Sequence, residues 1–174
     1  MKKLFFISIS FLLLLTCAQE VVPFKKLIAF EEDGWWGYKD DKGKIMIRPQ
    51  FTAAHDFTGE IGAVATKDDW RYIDRNGRIL NIQPFIYDNG PDYFQEGLAR
   101  FRENVKVGFL NEVGKVVIQA QYDFATPFSE GYAAFCPGCQ KIEVDEHSLF
   151  EGGKWGFIDH HGKVKRERYS IKNN

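Results

Sequence analysis

Cysteine is scarce, with three among 174 residues. That is too few for the dense disulfide framework of small secreted domains that lack a core. Long apolar runs are equally wanting. The longest spans Leu4 to Leu15, broken only by Ser8 and Ser10, and falls short of the roughly 20 residues a spanning helix needs. No long window repeats apolar residues at i, i+3, i+4 and i+7, which argues against amphipathic helices. Positive charge is not in excess: 23 Lys and Arg face 24 Asp and Glu. The basic field that nucleic-acid binding usually needs is therefore missing.

What the chain does hold is aromatic. Phe, Tyr and Trp make up 16% of it, alongside 16 glycines. They lie in short alternating runs broken by Gly, Pro, Asn and Asp. That pattern predicts an all-β fold.

One phrase returns four times. WGYKDDKGKI begins at Trp36, WRYIDRNGRI at Trp70, VGFLNEVGKV at Val107 and WGFIDHHGKV at Trp155. Its turn glycines, Gly43, Gly77, Gly114 and Gly162, are 34, 37 and 48 residues apart. A second mark, Gly62-Ala63-Val64, Gly97-Leu98-Ala99 and Gly131-Tyr132-Ala133, recurs at intervals of 35 and 34. Two marks at one period identify a repeat array.

Each phrase reads as a strand, a turn and a returning strand. Asp or Asn opens each turn, where its side chain bonds the backbone ahead, and Gly closes it in a left-handed position. Trp36 and Tyr38, Trp70 and Tyr72, Val107 and Phe109, and Trp155 and Phe157 share one strand face each. Gly37, Gly108 and Gly156 on the other face allow close approach of a neighbour; Arg71 holds that place in the second unit. With a strand upstream, each unit is a three-stranded antiparallel meander. The expected units are 26–48, 62–82, 97–119 and 131–166. They form an open solenoid-like array, with a closed propeller-like ring as the alternative. Connector aromatics such as Phe51, Phe57, Tyr122 and Phe128 are expected to pack under the sheets, because a lone meander buries too little.

The phrase at Lys154–Val164 and the stretch QYDFATPFSEGYA at Gln121–Ala133 resemble the WG-repeat family, also called KWG repeats. The resemblance covers about residues 26–166. Arg71 and Val107 depart from the WG pair. The resemblance implies a bacterial repeat protein, often exported, with no shared catalytic set to carry over.

The N-terminus reads as an export signal. Lys2 and Lys3 precede the apolar run, which has the length of a signal-peptide core. Leu14-Leu15-Thr16-Cys17 resembles the lipobox of bacterial lipoproteins, with Thr16 where a smaller residue is usual. The resemblance implies cleavage after residue 16, acylation of Cys17 and a tether over 17–25. An ordinary cleaved signal peptide is the alternative. The mature chain keeps 21 basic and 24 acidic residues. Its membrane association would rest on several acyl chains, since one holds only marginally. Ala18 is not the Asp that marks inner-membrane retention in some bacteria, so the outer membrane is the expected address.

The last repeat interval is lengthened by an insertion over 136–153, which opens with Cys136-Pro137-Gly138-Cys139. A disulfide between Cys136 and Cys139 is the expected reading for an exported chain. The alternatives are a zinc site with His147 and His160 or His161, a redox pair, or free thiols. Zinc would need four tetrahedral ligands, and a redox pair a helix N-terminus. His55 and the His160-His161 pair read as solvated, as does the acidic cluster Glu143-Asp145-Glu146. The tail, 167–174, continues a short basic end. No cofactor is expected.

The functional expectation is a non-catalytic binding or scaffolding module of the cell envelope, its partner a protein or a surface glycan. An envelope hydrolase with its site in 136–153 is the rival. A purely structural spacer is the third reading.

Overall fold

The computed structural model describes residues 25–87, 90–144 and 147–165. The expected signal peptide, Cys17, nearly all of the tether, Asp145, Glu146 and the tail lie outside the described residues. Among the described residues every regular element is a strand, and no helix is long and apolar enough to cross a membrane.

The first sheet holds β1 (Leu27–Glu32), β2 (Trp35–Asp40) and β3 (Ile45–Phe51) in chain order. The second holds β4 (Ala53–Ala54), β5 (Ile61–Ala65) and β6 (Trp70–Asp74). Then come β7 (Gln83–Pro84) and a small hairpin of β8 (Ile86–Tyr87) and β9 (Gly90–Pro91). The third sheet combines β7 with β10 (Leu98–Glu103), β11 (Lys106–Asn111) and β12 (Val116–Tyr122), in the order β12-β11-β10-β7. The fourth sheet is built from β13 (Phe124–Ala125), β14 (Tyr132–Cys136), β17 (Gly156–Asp159) and β18 (Val164–Lys165). Between β14 and β17 the insertion folds as its own hairpin, β15 (Cys139–Val144) with β16 (His147–Gly152). All pairings are antiparallel and no sheet closes on itself. The architecture is an open all-β repeat array.

Two details differ from the sequence reading. The connectors are not bare: they supply the edge strands β4, β7 and β13, so the second, third and fourth sheets begin earlier than expected. The returning strand expected to complete the second unit, 62–82, shrinks from the stretch Ile79–Ile82 to a single bridge between Ile73 and Ile79. The chain leaves that sheet early because Gln83 and Pro84 pair with β10 of the next one.

The turn chemistry holds in all four units. Asp40 Oδ1 accepts from the amides of Lys42 and Lys44 at 3.0 and 2.9 Å. Asp74, Asn111 and Asp159 do the same two and four residues ahead. The turn glycines sit at φ of 77–82°, where a Cβ is penalised. They also stack the array. A Cβ on Gly77 would lie 3.0 Å from Ile47 of the preceding unit, one on Gly114 3.0 Å from Ile61, and one on Gly162 3.4 Å from Ile118. Gly43, in the first unit, faces nothing within 4 Å.

Neighbouring units share their cores. Tyr38, Ile47, Val64 and Ile73 join the first two sheets. Ile61, Tyr72, Phe101 and Leu110 join the second and third. Val107, Phe109, Phe128 and Ile158 join the third and fourth. Phe51, Tyr122 and Phe128 from the connectors are buried, because burial comes from stacking and not from a single meander.

The WG glycine answers to the third strand. In the first sheet Trp36 pairs with Phe51 and Tyr38 with Ile47, so β3 bulges across Gly37. A Cβ there would lie 2.5 Å from the Ile47 carbonyl oxygen and 2.7 Å from the Pro49 nitrogen. Gly108 repeats this, 2.6 Å from both the Ile118 oxygen and the Ala120 nitrogen. Arg71 is tolerated because the second sheet has no such strand over it; its guanidinium pairs with Asp69 at 2.8 Å. Trp155, expected to share a strand face with Phe157, instead precedes β17 and is 41% exposed. Gly156 lies against the Phe135 ring.

Candidate binding cavity

The aromatic of the WG strand and the aromatic of the next connector meet ring to ring at the first and last junctions. Tyr38 meets Phe57 edge-on, with centroids 4.8 Å apart, and the Tyr38 hydroxyl donates to the His55 carbonyl at 2.7 Å. At the last junction Phe109 meets Phe128 at 4.9 Å and carries no hydroxyl to satisfy. The middle junction is the exception. Tyr72 is 2% exposed, and its hydroxyl has no hydrogen-bond partner among the described residues. Burial, with the Asp92 carboxylate behind it, pushes this phenol above its ordinary value. At neutral pH it is therefore a neutral donor.

The connector explains the exception. Asp92 stands two residues before Phe94 as His55 stands two before Phe57. Asp92 is claimed by Arg100: Nε lies 2.7 Å from Oδ2 and Nη2 3.0 Å from Oδ1. Arg100 is 2% exposed. Its Nη1 donates to the Ala125 carbonyl at 2.8 Å, and its guanidinium lies over the Phe85 ring at 4.2 Å. Asp92 follows the β8–β9 hairpin, which no other connector has. The backbone does not supply Tyr72 with the carbonyl that Tyr38 receives.

A cavity of about 470 Å³ opens at this place. Trp36, Tyr72, Tyr93 and Phe94 give it ring walls, and His55, Asp56, Thr58 and Asp92 give it polar groups. His55 is braced edge-on against Trp70 at 5.2 Å and lies 5.9 Å from Tyr93. Tyr93 is 70% exposed and stands at the rim. Asp56 Oδ1 accepts from the Ala29 amide at 3.0 Å. The volume is that of a small-molecule site, and a few polar groups among rings are what such sites use.

The residues singled out from sequence distribute differently. Trp36 lines the cavity and Trp70 backs it. His55, read as solvated, is half-buried and part of the wall. His160 is not solvated either: it stacks on Phe128 at 4.5 Å and lies 2.8 Å from Glu96. The expected disulfide is corrected. Cys136 and Cys139 are free thiols, both buried. Cys139 donates to the Cys136 carbonyl at 3.4 Å and Cys136 to the Gly152 carbonyl at 3.7 Å. Strand pairing of Cys139 with Gly152 and the Lys154 amide on the Pro137 carbonyl close the hairpin base instead. Burial and the neighbouring Cys139 push the Cys136 thiol up to about 12. Among the described residues no three His, Cys, Asp or Glu side chains are grouped to hold a metal ion. Sequence reasoning missed Tyr72, Asp92, Tyr93 and Arg100. The signal was present in the Tyr, Tyr, Phe series at 38, 72 and 109 and in the Asp-Asn-Gly-Pro sequence at 88–91.

Comparison with family models matches the WG-containing repeat over residues 36–69, 70–106 and 108–136. No curated protein and no solved structure matches the chain.

Proposed function

We propose, from the premise that this chain belongs to the WG-repeat family, that it is an exported, lipid-anchored, non-catalytic binding module of the cell envelope. The single observation that carries the reading is the interrupted repeat. Of the three junctions the first and last are built by one rule, and the middle one departs from it to leave an aromatic-walled cavity. A stack of shared cores makes a firm stand for such a site. Cys17 supports the anchor, because only Thr16 separates it from the apolar run, and outer-membrane placement goes with Ala18. The partner is a protein or a surface glycan, met outside the membrane.

The test has two arms. Fatty-acid labelling of cells expressing the full chain should mark the protein, and Cys17→Ala should abolish both label and membrane retention. Capture from the native envelope should give the same partner with the full chain and with a variant lacking residues 137–150. A partner lost with that deletion would move recognition to the β15–β16 hairpin. No partner in either case would leave the protein a structural spacer.

A further inference from the structure

We infer that the cavity at the middle junction is a saccharide-binding site. The inference rests on the reading of the chain as a binding module and names its ligand. Three observations on the cavity select the chemistry.

The walls come first. Trp36, Tyr72, Tyr93 and Phe94 present ring surface, which suits a flat apolar face such as the C–H face of a pyranose. Tyr93, the exposed rim residue, is placed to cover a ligand from the solvent side.

The charge comes second. No lysine or arginine lines the cavity, so an anionic ligand would meet no cation. Asp92 is already neutralised by Arg100. A phosphate or an acidic sugar is disfavoured against Asp56.

The polar inventory comes third. The Tyr72 hydroxyl is a buried donor without an acceptor. Thr58 can donate and accept, His55 can do either, and Asp56 accepts. Ligand hydroxyls serve as donor and acceptor at once and match this mixture. An alkylammonium ion would use the rings and Asp56 but would leave the Tyr72 donor unanswered. A purely apolar ligand would answer none of these groups. The volume of about 470 Å³ admits one sugar ring or a short oligomer.

The experiment uses the full chain purified in detergent. Glucose, galactose, N-acetylglucosamine and chitobiose are titrated while tryptophan fluorescence is followed, since Trp36 lines the cavity and Trp70 braces His55. Tetramethylammonium is the competing probe. The expected result is saturable binding of at least one saccharide, weakened roughly five- to tenfold by Tyr72→Phe with the unfolding midpoint unchanged or raised. Tyr93→Ala, at an exposed position, should weaken binding without loss of the fold. Saturation by tetramethylammonium but by no saccharide would overturn the inference, and so would saccharide binding indifferent to Tyr72→Phe and Tyr93→Ala. If no saccharide binds while envelope capture still yields a partner, the saccharide site falls and the binding-module reading stands. If both fail, both fall.

Discussion

The Tyr38 hydroxyl and the His55 carbonyl meet at 2.7 Å across the first junction; Tyr72, one unit later, finds no partner. The same phenol is thus a satisfied structural group in one place and an unsatisfied one in the next. Tyr38→Phe removes a hydrogen bond and orphans a carbonyl, and should cost about 1–2 kcal/mol. Tyr72→Phe removes only a buried unpaired hydroxyl and should leave stability unchanged or raise it. Denaturant midpoints of the two variants check this; an equal loss in both would show that Tyr72 is satisfied in solution.

Gly37 and Gly108 lie under bulging third strands. Alanine at either place drives a Cβ to within 2.5–2.6 Å of backbone atoms, which cannot yield as a flexible side chain would. Each substitution should cost on the order of 2–4 kcal/mol. Arg71→Ala, at the corresponding place in the second unit, should cost under about 1 kcal/mol, since it loses one partly exposed ion pair. Thermal melts of the three variants separate the two cases.

The Arg100–Asp92 pair is buried and bidentate. Arg100→Ala would leave Asp92 buried without its cation and should destabilise the chain by about 3–5 kcal/mol. Replacing both residues with apolar ones of similar volume should recover most of that loss. A double-variant denaturation series measures the difference.

Cys136 and Cys139 are free and buried. With the Cys136 thiol pushed up to about 12, almost none is thiolate at pH 8, and the thiolate is the reactive form. Alkylation of the folded chain at pH 8 should be slow at both positions and fast in urea. Intact mass under non-reducing conditions should show both thiols; a mass lower by two hydrogens would restore the disulfide.

Acid should loosen the turns. A Lys25 hydrogen bond and the Lys44 amide hold Asp40 below the usual carboxylate value. Burial pushes Asp74 up, but the Arg78 and Asn76 amides outweigh it and leave it lowered. The Lys163 amide, then the His161 amide, lower Asp159. A carboxylate depressed in the folded state contributes stability above its unfolded value of 3.8. That contribution is lost as pH falls through the lower folded value. Unfolding should therefore steepen below about pH 4. Asn111 makes the same turn bonds without a charge. Changing Asp40, Asp74 and Asp159 together to Asn should flatten the acid limb while keeping the turns. Circular dichroism across the acid range reads the outcome.

Much of the fold was legible in the sequence because its rules are local. Asp or Asn followed by Gly three residues on fixes a turn through two amide bonds, and these recur in all four units. Alternation within WGYKD and its copies fixes strands. The period fixes an array. The edge strands β4, β7 and β13 were hidden, since a two-residue strand carries no alternation to read. The fate of Ile79–Ile82 was hidden too, because β7 competes for that stretch of chain.

By itself, then, the sequence determined the all-β class, the four turns, the stacking of units and the family. Its composition excluded a basic nucleic-acid surface. Tertiary structure decided what lies between units. It placed one shared core at each junction, set free thiols where a disulfide was expected, and drew Asp92 to Arg100. That last choice depends on residues in a connector and a strand of the third unit, and beside it Tyr72 of the second is left without a hydrogen-bond partner. No local pattern encodes it, because a hydroxyl is satisfied or orphaned only by what another unit brings to it.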